Sequence, residues 1–453
     1  MEMPSKKRRL EMSLDTEKAN KIDKFLEQFV LTVEKTKQLM TVFEEEMKLA
    51  YSKEKEQRDV SSVLNEYTYI YQLLDGNENG DFLGLDLGGS NFRLIYICLN
   101  NGKMTPVIRS YVLPVELLEQ RVEKVYDFVV EKMASFLEEE KIKDKRLPLG
   151  FTFSFPMKQA GLRSGVLVTW TKSFRCPNGI GEDVVTFLEN AIKRRGDLSV
   201  NVEALLCDTT ATLVAGNAED PNCRVGLIIG TGCNASFVEQ IKYAEKVDIE
   251  KAKEVIIDIQ WGSLGDNGCL DYIKTDVDRT VDMESNHPNS FTFEKMISGF
   301  YLGEVVRHIL IKLTDQGLLF DECFQLRQWP VLSGIGMMTQ VTRFSVIKQL
   351  GITSVMKKDV AVVREVCAVV SARAAHLVAG NLAVLLNHMN KPEVTIAVDG
   401  SVYEHHPNMH GLIIDRLAEL VPQTKVKLTL CKEGSGKGAA LTAAIALKQT
   451  STN

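Results

Sequence analysis

Two stretches of this chain each consist of an apolar run, a glycine turn and a second apolar run. The first spans residues 82–99 and turns at Gly88 and Gly89, and the second spans 224–239 and turns at Gly232. Glycine at such a turn permits conformations closed to other residues and lets an anion approach the main chain. One such hairpin is usually an ordinary tight turn. Because the pattern occurs twice, the sequence predicts a duplicated phosphate-binding fold.

Length, charge and cysteine content narrow the class of protein. At 453 residues the chain exceeds what one hydrophobic core usually supports, so we expect two domains with a cleft between them. A net charge of −6 gives no reason to expect nucleic acid or an anionic membrane as a partner. The nine cysteines are scattered without a Cys-x-x-Cys pair, which argues against a zinc site and favours reduced thiols in the cytoplasm.

The sequence gives little indication of a membrane-spanning segment, a signal peptide or a nuclear address. No apolar run approaches the roughly 20 residues that span a bilayer, and the N-terminus lacks the apolar core of a signal peptide. We therefore expect a cytoplasmic protein without membrane insertion. The basic cluster from Lys6 to Arg9 leaves a nuclear location as the alternative.

Helical and strand periodicities divide the chain into four parts. Residues 1–18 are polar and predicted to form a disordered tail, and helices are predicted for 19–73. Alternating strands and helices then indicate a small domain over 74–206 and a large domain over 207–448. The C-terminal helix is a candidate to return to the small domain. The individual predictions are helices in 122–136, 184–195, 293–314, 360–389 and 439–447, and strands in 147–155, 201–208, 254–261 and 393–401.

Two further features bear on ligand binding. Asp208 ends a predicted strand, the position at which open α/β sheets bind ligands, although an Asp followed by Thr209 is also a common helix N-cap. The glycine cluster at 433–438 opens a predicted helix, whose first amides favour anions. It is not a P-loop, because Cys431 stands where the first glycine of that motif is required.

Several motifs in order along the chain resemble the eukaryotic hexokinase family, which includes the glucokinase-like proteins. They lie at 85–93, 149–156, 170–172, 208–209, 230–232, 265–268, 294–299, 371–375 and 434–436. The resemblance extends from about residue 20 to residue 448. It implies the two-domain actin-like ATPase fold, in which a small and a large α/β domain close over a hexose and MgATP. It further implies an ATP:hexose 6-phosphotransferase that acts on glucose, mannose or fructose in the first step of glycolysis. We expect the chain to be a monomer.

The same resemblance assigns roles to residues. Asp208 would be the base that accepts the proton of the attacking hydroxyl, and Lys172 would support the sugar and the developing charge. The other implied sugar contacts are Ser154, Phe155, Thr171, Cys207, Asn234, Gln260, Phe291 and Glu294. The implied contacts to ATP are Asp86, Leu87, Gly88, Gly89, Ser90, Asn91, Arg93, Thr231, Gly299, Gly434, Ser435 and Gly436. Mg²⁺ would arrive with the nucleotide, so no residue is assigned as a metal ligand of its own.

Three predicted sugar contacts depart from the family pattern. Cys207 replaces the usual Asn, Gln260 replaces the usual Glu, and Phe291 replaces the usual Gln; the nucleotide segment expected near 330–342 also matches poorly. Each hydrogen bond lost in a buried pocket costs about 1–3 kcal/mol. We therefore expect low glucose affinity, and expect Cys207→Asn combined with Gln260→Glu to raise it unless the pocket has been reshaped. The alternative is a catalytically weak paralogue that acts as a sugar or nucleotide sensor or as an interaction protein.

Overall fold

The computed structural model describes residues 16–101, 103–171, 173–244, 252–320 and 357–452. It begins with α1 (Thr16–Leu26), α2 (Val33–Tyr51), α3 (Lys55–Arg58) and β1 (Glu66–Tyr67). The predicted tail boundary at residue 18 is wrong, because α1 already includes residues 16–18. The prediction of helices as far as residue 73 is also wrong, because the chain is extended around β1, which pairs with a later strand. The basic cluster at residues 6–9 lies outside the described residues.

A five-stranded sheet forms the first half of the fold. The elements are β2 (Gly80–Leu87), β3 (Asn91–Asn100), β4 (Lys103–Val112), α4 (Val122–Glu139), β5 (Leu147–Phe153), β6 (Met157–Gly161), β7 (Ser164–Leu167), α5 (Val184–Arg195) and β8 (Val200–Leu206). The strand order is β4-β3-β2-β5-β8, and β6 and β7 form a separate ribbon. Strands β2, β3 and β4 are antiparallel neighbours, whereas β5 and β8 continue the sheet in parallel with β2.

A second sheet follows. Its region contains α6 (Asp208–Glu219), β9 (Cys223–Ile229), β10 (Cys233–Gln240), β11 (Glu254–Asp258), α7 (Asp276–Glu284), α8 (Thr292–Ile297), α9 (Gly299–Asp315), α10 (Lys357–Met389), β12 (Glu393–Asp399), α11 (Ser401–His405), α12 (Met409–Leu420), β13 (Lys425–Leu430) and α13 (Gly434–Thr452). The strand order is β1-β11-β10-β9-β12-β13.

The two sheets repeat one arrangement. In each, three antiparallel strands in chain order are followed by two strands that extend the sheet in parallel from the first of the three. Strands β9 to β13 thus repeat β2, β3, β4, β5 and β8, and β1 adds to the edge of the second sheet. This repeat confirms the prediction of a duplicated fold, and both glycine hairpins join the first two strands of their sheets.

Helices α6 and α13 form a layer between the two sheets, with apolar side chains from both sheets in the same core. Small residues make this close packing possible. A Cβ atom at Gly150 of β5 would lie 1.8 Å from the carbonyl oxygen of Ala439, and one at Gly438 would lie 1.8 Å from that of Ala211. The C-terminal helix therefore packs directly on the first sheet. The N-terminal helices contribute to the core of the second sheet instead, where Phe43 packs edge-on against Trp261.

Several predicted elements differ from the structure. The strands predicted for 147–155, 201–208 and 393–401 each end two residues earlier, so that Asp208 is not the last residue of a strand. The helix predicted for 293–314 is two helices, because Ser298 is extended between α8 and α9. The strand predicted for 254–261 ends at Asp258, since Gln260 has a left-handed φ of 57°. The last helix begins at Gly434 and not at Ala439, so the glycine cluster forms its first turn. The segment 330–342 lies outside the described residues.

Helix α10 is the one helix in the described part of the chain that is long and apolar enough to cross a membrane. This differs from the expectation that no segment qualifies. The most apolar stretch of this helix is 89% buried within the protein. A helix that is apolar on all sides is also what the core of a large protein requires.

Candidate active site

Asp208 lies where strand β8 gives way to helix α6. The N-cap residue is Cys207, and Asp208 is the first residue of the helix. The backbone N–H of Thr209 donates to Asp208 Oδ1 at 2.9 Å. The simple interpretation of Asp208 as the N-cap is therefore wrong. Its carboxylate instead lies at the helix N-terminus, where the peptide dipoles stabilise negative charge.

The thiol of Cys207 belongs to a buried cluster of hydroxyl groups. Its Sγ lies 3.0 Å from Thr209 Oγ1 and 3.1 Å from Thr210 Oγ1. Ser236 Oγ in turn lies 2.7 Å from the Thr209 hydroxyl and 3.0 Å from that of Thr210. Burial raises the pKa of the Cys207 thiol well above its usual value, so the thiol remains protonated. Because its neighbours are hydroxyl groups, the Cys207 thiol does more than fill space as a small apolar residue.

A buried carboxylate that sequence reasoning missed lies beside this cluster. Asp258, at the end of β11, accepts a hydrogen bond of 2.6 Å from Asn234 Nδ2 and another from the amide of Gln260. The Thr209 hydroxyl also donates to it, at 3.4 Å. Burial raises the pKa of Asp258, although these donors oppose the shift. The available signal was an acidic residue in an apolar strand, two positions before a predicted sugar contact.

Other predicted sugar contacts meet at the second hairpin. The N–H of Trp261 donates to Asn234 Oδ1 at 3.3 Å, and the N–H of Cys233 donates to Glu294 Oε2 at 3.1 Å. Burial raises the pKa of the Cys233 thiol, and the charges of Glu294 and Asp208 add to this shift. The structure thus brings Asp208, Asn234 and Glu294 into one neighbourhood, together with the adjoining Cys207 and Gln260.

Phe291 is the N-cap residue of α8 and has a left-handed φ of 60°. Its N–H donates to Asp266 Oδ2 at 2.9 Å, and its ring packs edge-on against His287. The same Asp266 carboxylate accepts the N–H of Thr292 at 2.8 Å. These contacts fix the start of the helix that carries Glu294.

Sugar contacts predicted on the first half of the fold lie at the end of β5. The N–H of Ser154 donates to the carbonyl of Leu87 at 3.2 Å, which joins this segment to the first hairpin. The side chain of Phe155 is buried in an aromatic cluster with Trp170 and Phe174, at ring separations of 5.3 and 4.7 Å. Its ring is thus part of the core, and its contact to a sugar stays a prediction.

Thr171 follows this aromatic cluster and is half-buried. Its carbonyl accepts a hydrogen bond from the N–H of Phe174 at 3.3 Å. Lys172, the predicted partner of Asp208, lies outside the described residues, and its role stays a prediction.

At the turn of the first hairpin, the backbone of Gly88 lies close to that of Asn91. The N–H of Gly88 donates to the carbonyl of Asn91 at 3.0 Å, and a Cβ atom at Gly88 would lie 3.1 Å from that oxygen. Gly88 has no left-handed φ, so the expectation that it adopts a conformation closed to other residues is wrong. Glycine is favoured here because a side chain would crowd the carbonyl oxygen of Asn91. The side chain of Leu87 is fully buried, Gly89 is half-buried, and Ser90 and Asn91 are exposed.

Predicted nucleotide contacts from the two ends of the chain meet at Asp86. Arg93 Nη1 lies 3.0 Å from Asp86 Oδ2, and its Nε lies 2.8 Å from Glu433 Oε2. Ser435 Oγ donates to the same Asp86 oxygen at 2.7 Å. One guanidinium therefore bridges two carboxylates, and the hydroxyl of α13 completes the cluster.

The first turn of α13 also contacts the second sheet. The N–H of Gly434 donates to Asp399 Oδ2 at 3.1 Å, and burial raises the pKa of Asp399. A Cβ atom at Gly436 would lie 2.4 Å from Ile95 Cδ1. These two predicted nucleotide residues thus hold α13 against both halves of the fold. Asp399, at the end of β12, was missed in the sequence.

Gly299 supports the second hairpin from behind. Its N–H donates to the carbonyl of Gly230 at 2.8 Å, and a Cβ atom there would lie 2.5 Å from Val402 Cγ2. The N–H of Gly299 is therefore occupied by the hairpin, and a contact of this residue to the nucleotide stays a prediction. Thr231, at the hairpin turn, is exposed.

The repeated sheets and their paired glycine hairpins define an actin-like ATPase fold, which the solved structures of hexokinases share. The structure of hexokinase from Schistosoma mansoni complexed with glucose is 35% identical, with a TM-score of 0.87 over 95% of this chain and 99% of that one. A second hexokinase crystal structure is 26% identical, with a TM-score of 0.80 over 96% of this chain and 100% of that one.

Both halves of the chain match hexokinase family models, over residues 21–218 and 224–445. The chain therefore belongs to the hexokinase family. It is 38% identical to Hexokinase-1 of Mus musculus over 95% of its length and 39% identical to Hexokinase HKDC1 of Homo sapiens over 94%. It spans 46% and 48% of those two proteins, or about half of each.

Proposed function

We propose that this chain transfers the terminal phosphoryl group of MgATP to the 6-hydroxyl of a hexose, with glucose as the first candidate and mannose and fructose as further ones. This is the first step of glycolysis. The observation that carries the proposal is the position of Asp208 at the N-terminus of α6, where the neighbouring Thr209 shares the Asp258 carboxylate with Asn234. The glucose-bound relative, which matches along nearly its whole length, supports a hexose as substrate.

In the proposed reaction Asp208 accepts the proton of the sugar hydroxyl as that oxygen attacks the phosphorus. Phosphoryl transfer depends mainly on positioning and on charge stabilisation, with one group to take the proton. Asn234 is held by Asp258 and by the N–H of Trp261, and Glu294 is held by the N–H of Cys233. These fixed side chains can orient a sugar ring without moving when it binds.

The cluster around Asp86 fits a magnesium nucleotide. Asp86, Asp399 and Glu433 are three carboxylates near the single guanidinium of Arg93, so negative charge is in excess there. Carboxylate oxygens bind Mg²⁺, directly or through its waters, and a guanidinium binds phosphate. We assign Asp86 to the Mg²⁺ side of the nucleotide and Arg93 to its phosphates.

A second candidate function is sugar or nucleotide sensing without efficient turnover. The specific observation in its favour is the protonated Cys207 thiol within the hydroxyl cluster next to Asp208. It replaces an amide that the family uses at the sugar. Sensing would retain binding at this site and lose most of the rate.

A coupled assay of the purified chain separates the two functions. ADP release is followed over a wide range of glucose, mannose and fructose concentrations with and without Mg²⁺, and sugar binding is measured by calorimetry on the same sample. We expect saturable, Mg²⁺-dependent turnover with a high KM for glucose. Binding without turnover would support the sensor, and the absence of both would overturn the proposal of a hexose site.

A further inference from the structure

The acidic side chain that faces residue 260 is Asp258, and residue 260 itself is neutral. Other hexokinases usually have Glu where this chain has Gln260. Here the neutral Gln260 amide donates its N–H to the carboxylate of Asp258, two residues earlier. The side chain of Asp258 is only 5% exposed, so this carboxylate depends on hydrogen bonds from the protein for its stabilisation.

The hydrogen bond to Asp258 fixes the orientation of the Gln260 amide. A carboxamide has one donor side and one acceptor side. Because Nε2 faces Asp258, Oε1 faces away from the carboxylate. The left-handed φ of 57° at Gln260 ends strand β11 and folds the side chain back toward Asp258. Such backbone strain in a non-glycine residue is typical of functional sites.

Asn234 is oriented by the same carboxylate. Its Nδ2 donates to Asp258 Oδ1 at 2.6 Å, and its Oδ1 accepts the N–H of Trp261 at 3.3 Å. The amide is therefore held from both sides. Asp258 thus sets the direction of two side chains that are predicted to contact the sugar.

We propose that Asp258 is a positioning residue for the hexose, which holds the Gln260 amide so that its oxygen serves as the sugar acceptor. The neutral amide thereby supplies the acceptor that a glutamate supplies in other hexokinases. The acidic group, Asp258, contacts the Gln260 amide and not the sugar. This inference rests on the proposed function, because it names the group that recognises the substrate.

The arrangement has a consequence that reverses an expectation from the sequence. Gln260→Glu would place a second carboxyl group against Asp258 and would remove the N–H that Asp258 accepts from Gln260. Two carboxylates within hydrogen-bond distance repel each other, so one of them must take up a proton or turn away. Combining this change with Cys207→Asn therefore lowers glucose affinity instead of raising it.

The acid and the amide can instead be exchanged between residues 258 and 260 in one double variant. Asp258→Asn alone leaves an amide that cannot accept from both Asn234 and Gln260 as well as the carboxylate does. In Asp258→Asn with Gln260→Glu, the new asparagine amide can donate to the new glutamate. The double variant restores one donor–acceptor pair and places the acidic group at residue 260.

The test measures KM for glucose, KM for MgATP and kcat in four proteins: the unaltered chain, Asp258→Asn, Gln260→Glu and the double variant. We expect each single change to raise the glucose KM roughly tenfold or more. We expect the double variant to return to within about threefold of the unaltered chain, a strong departure from additivity. The KM for MgATP should stay unchanged in all four, which a general loss of structure would not allow.

Additive losses in the double variant would overturn the proposal, as would a glucose KM unchanged in both single variants. If Asp258→Asn does not fold, Gln260→Met is measured in its place. This variant keeps the length of the side chain and removes the acceptor. A glucose KM like that of the unaltered chain in Gln260→Met would then overturn the proposal.

The same four proteins separate this inference from the proposed function. Glucose dissociation constants from calorimetry need no turnover, and the expected pattern of two losses and one recovery applies to them equally. If the unaltered chain binds glucose without phosphorylating it, the enzymatic function fails while the role of Asp258 is still decided. If the unaltered chain binds no hexose at all, both fail.

Discussion

Ser435 Oγ donates a hydrogen bond of 2.7 Å to Asp86 Oδ2 and so joins the first turn of α13 to the end of strand β2. Both residues are buried, and Arg93 lies 3.0 Å from the same carboxylate oxygen. Two segments that the sequence separates by more than three hundred residues therefore form one unit of the predicted nucleotide site. The contact ties the helix between the sheets to the hairpin that would hold a phosphate.

Ser435→Ala removes the hydroxyl and leaves the buried Asp86 carboxylate with one donor fewer. Hydrogen bonds to charged groups contribute about 1.5–3 kcal/mol, so we expect the free energy of unfolding to fall by that amount and the KM for MgATP to rise. Urea unfolding and steady-state kinetics measure the two effects. Ser90→Ala, at an exposed position, is the control for stability and should change it by less than about 0.5 kcal/mol. Equal stabilities of the two variants would refute the importance of the contact.

Asp208→Asn keeps the shape of the side chain and removes the proposed proton acceptor. We expect kcat for hexose phosphorylation to fall by at least about 10²-fold, while folding and ATP binding persist. Asp220→Asn is the matched control, because Asp220 caps the opposite end of the same helix and binds the Thr395 hydroxyl at 2.7 Å. Turnover of the Asp208 variant at the rate of the control would remove Asp208 from the mechanism.

A second prediction on stability concerns Arg373 and Asp278, which form a buried pair with two N–H···O contacts of 2.7 and 2.8 Å. Burial alone would raise the pKa of Asp278, but the guanidinium outweighs it and holds the pKa below its usual value. Arg373→Met leaves this carboxylate buried without its cation, and we expect a loss of about 3–5 kcal/mol in the free energy of unfolding.

An exposed pair provides the comparison for that measurement. Lys21 and Glu17 lie 2.7 Å apart on the surface of α1. Lys21→Met should cost at most about 1 kcal/mol, because water and salt screen such pairs. Urea unfolding of both variants tests the difference, and similar losses would contradict the account.

His388 makes the stability of the fold depend on pH. Its Nε2 lies 2.7 Å from the buried Glu239 carboxylate, which also accepts the Tyr51 hydroxyl at 3.1 Å. The hydrogen bond to Glu239 raises the pKa of His388 above its ordinary value of 6.5. His388 therefore binds a proton more tightly in the folded state. Its contribution to the free energy of unfolding is complete below pH 6.5 and disappears as the pH rises through the raised pKa.

His388→Gln keeps a donor at this position and removes the titration. We expect the free energy of unfolding to fall with rising pH above 6.5 in the unaltered chain, and to fall less steeply in the variant. Urea unfolding at a series of pH values gives both slopes. Identical slopes would show that His388 does not titrate against Glu239 in the folded state.

Features that depend on local sequence could be predicted well. Helix α5 spans Val184–Arg195 as its periodicity indicates, and Asp208 follows strand β8 because a short apolar run ends there. Each depends on backbone preferences and on the alternation of apolar side chains within a few residues. The repeat of the glycine hairpins likewise predicted the repeat of the sheets.

Features that depend on distant contacts could not be predicted. The sequence marks Gln260 as a departure from the family, but only the fold shows that its amide donates to Asp258 and that a glutamate there would meet another carboxylate. Phe155 and Gly299 lie in matching motifs, yet their surroundings are an aromatic core and a hairpin carbonyl.

The sequence by itself determined the family, the duplicated fold and the position of the proposed base, because these are encoded in local patterns and motifs. Only the tertiary structure decided which polar groups share hydrogen bonds. A buried donor or acceptor must be satisfied by whichever segment the packing brings within about 3 Å, and the order of residues along the chain does not specify that neighbour.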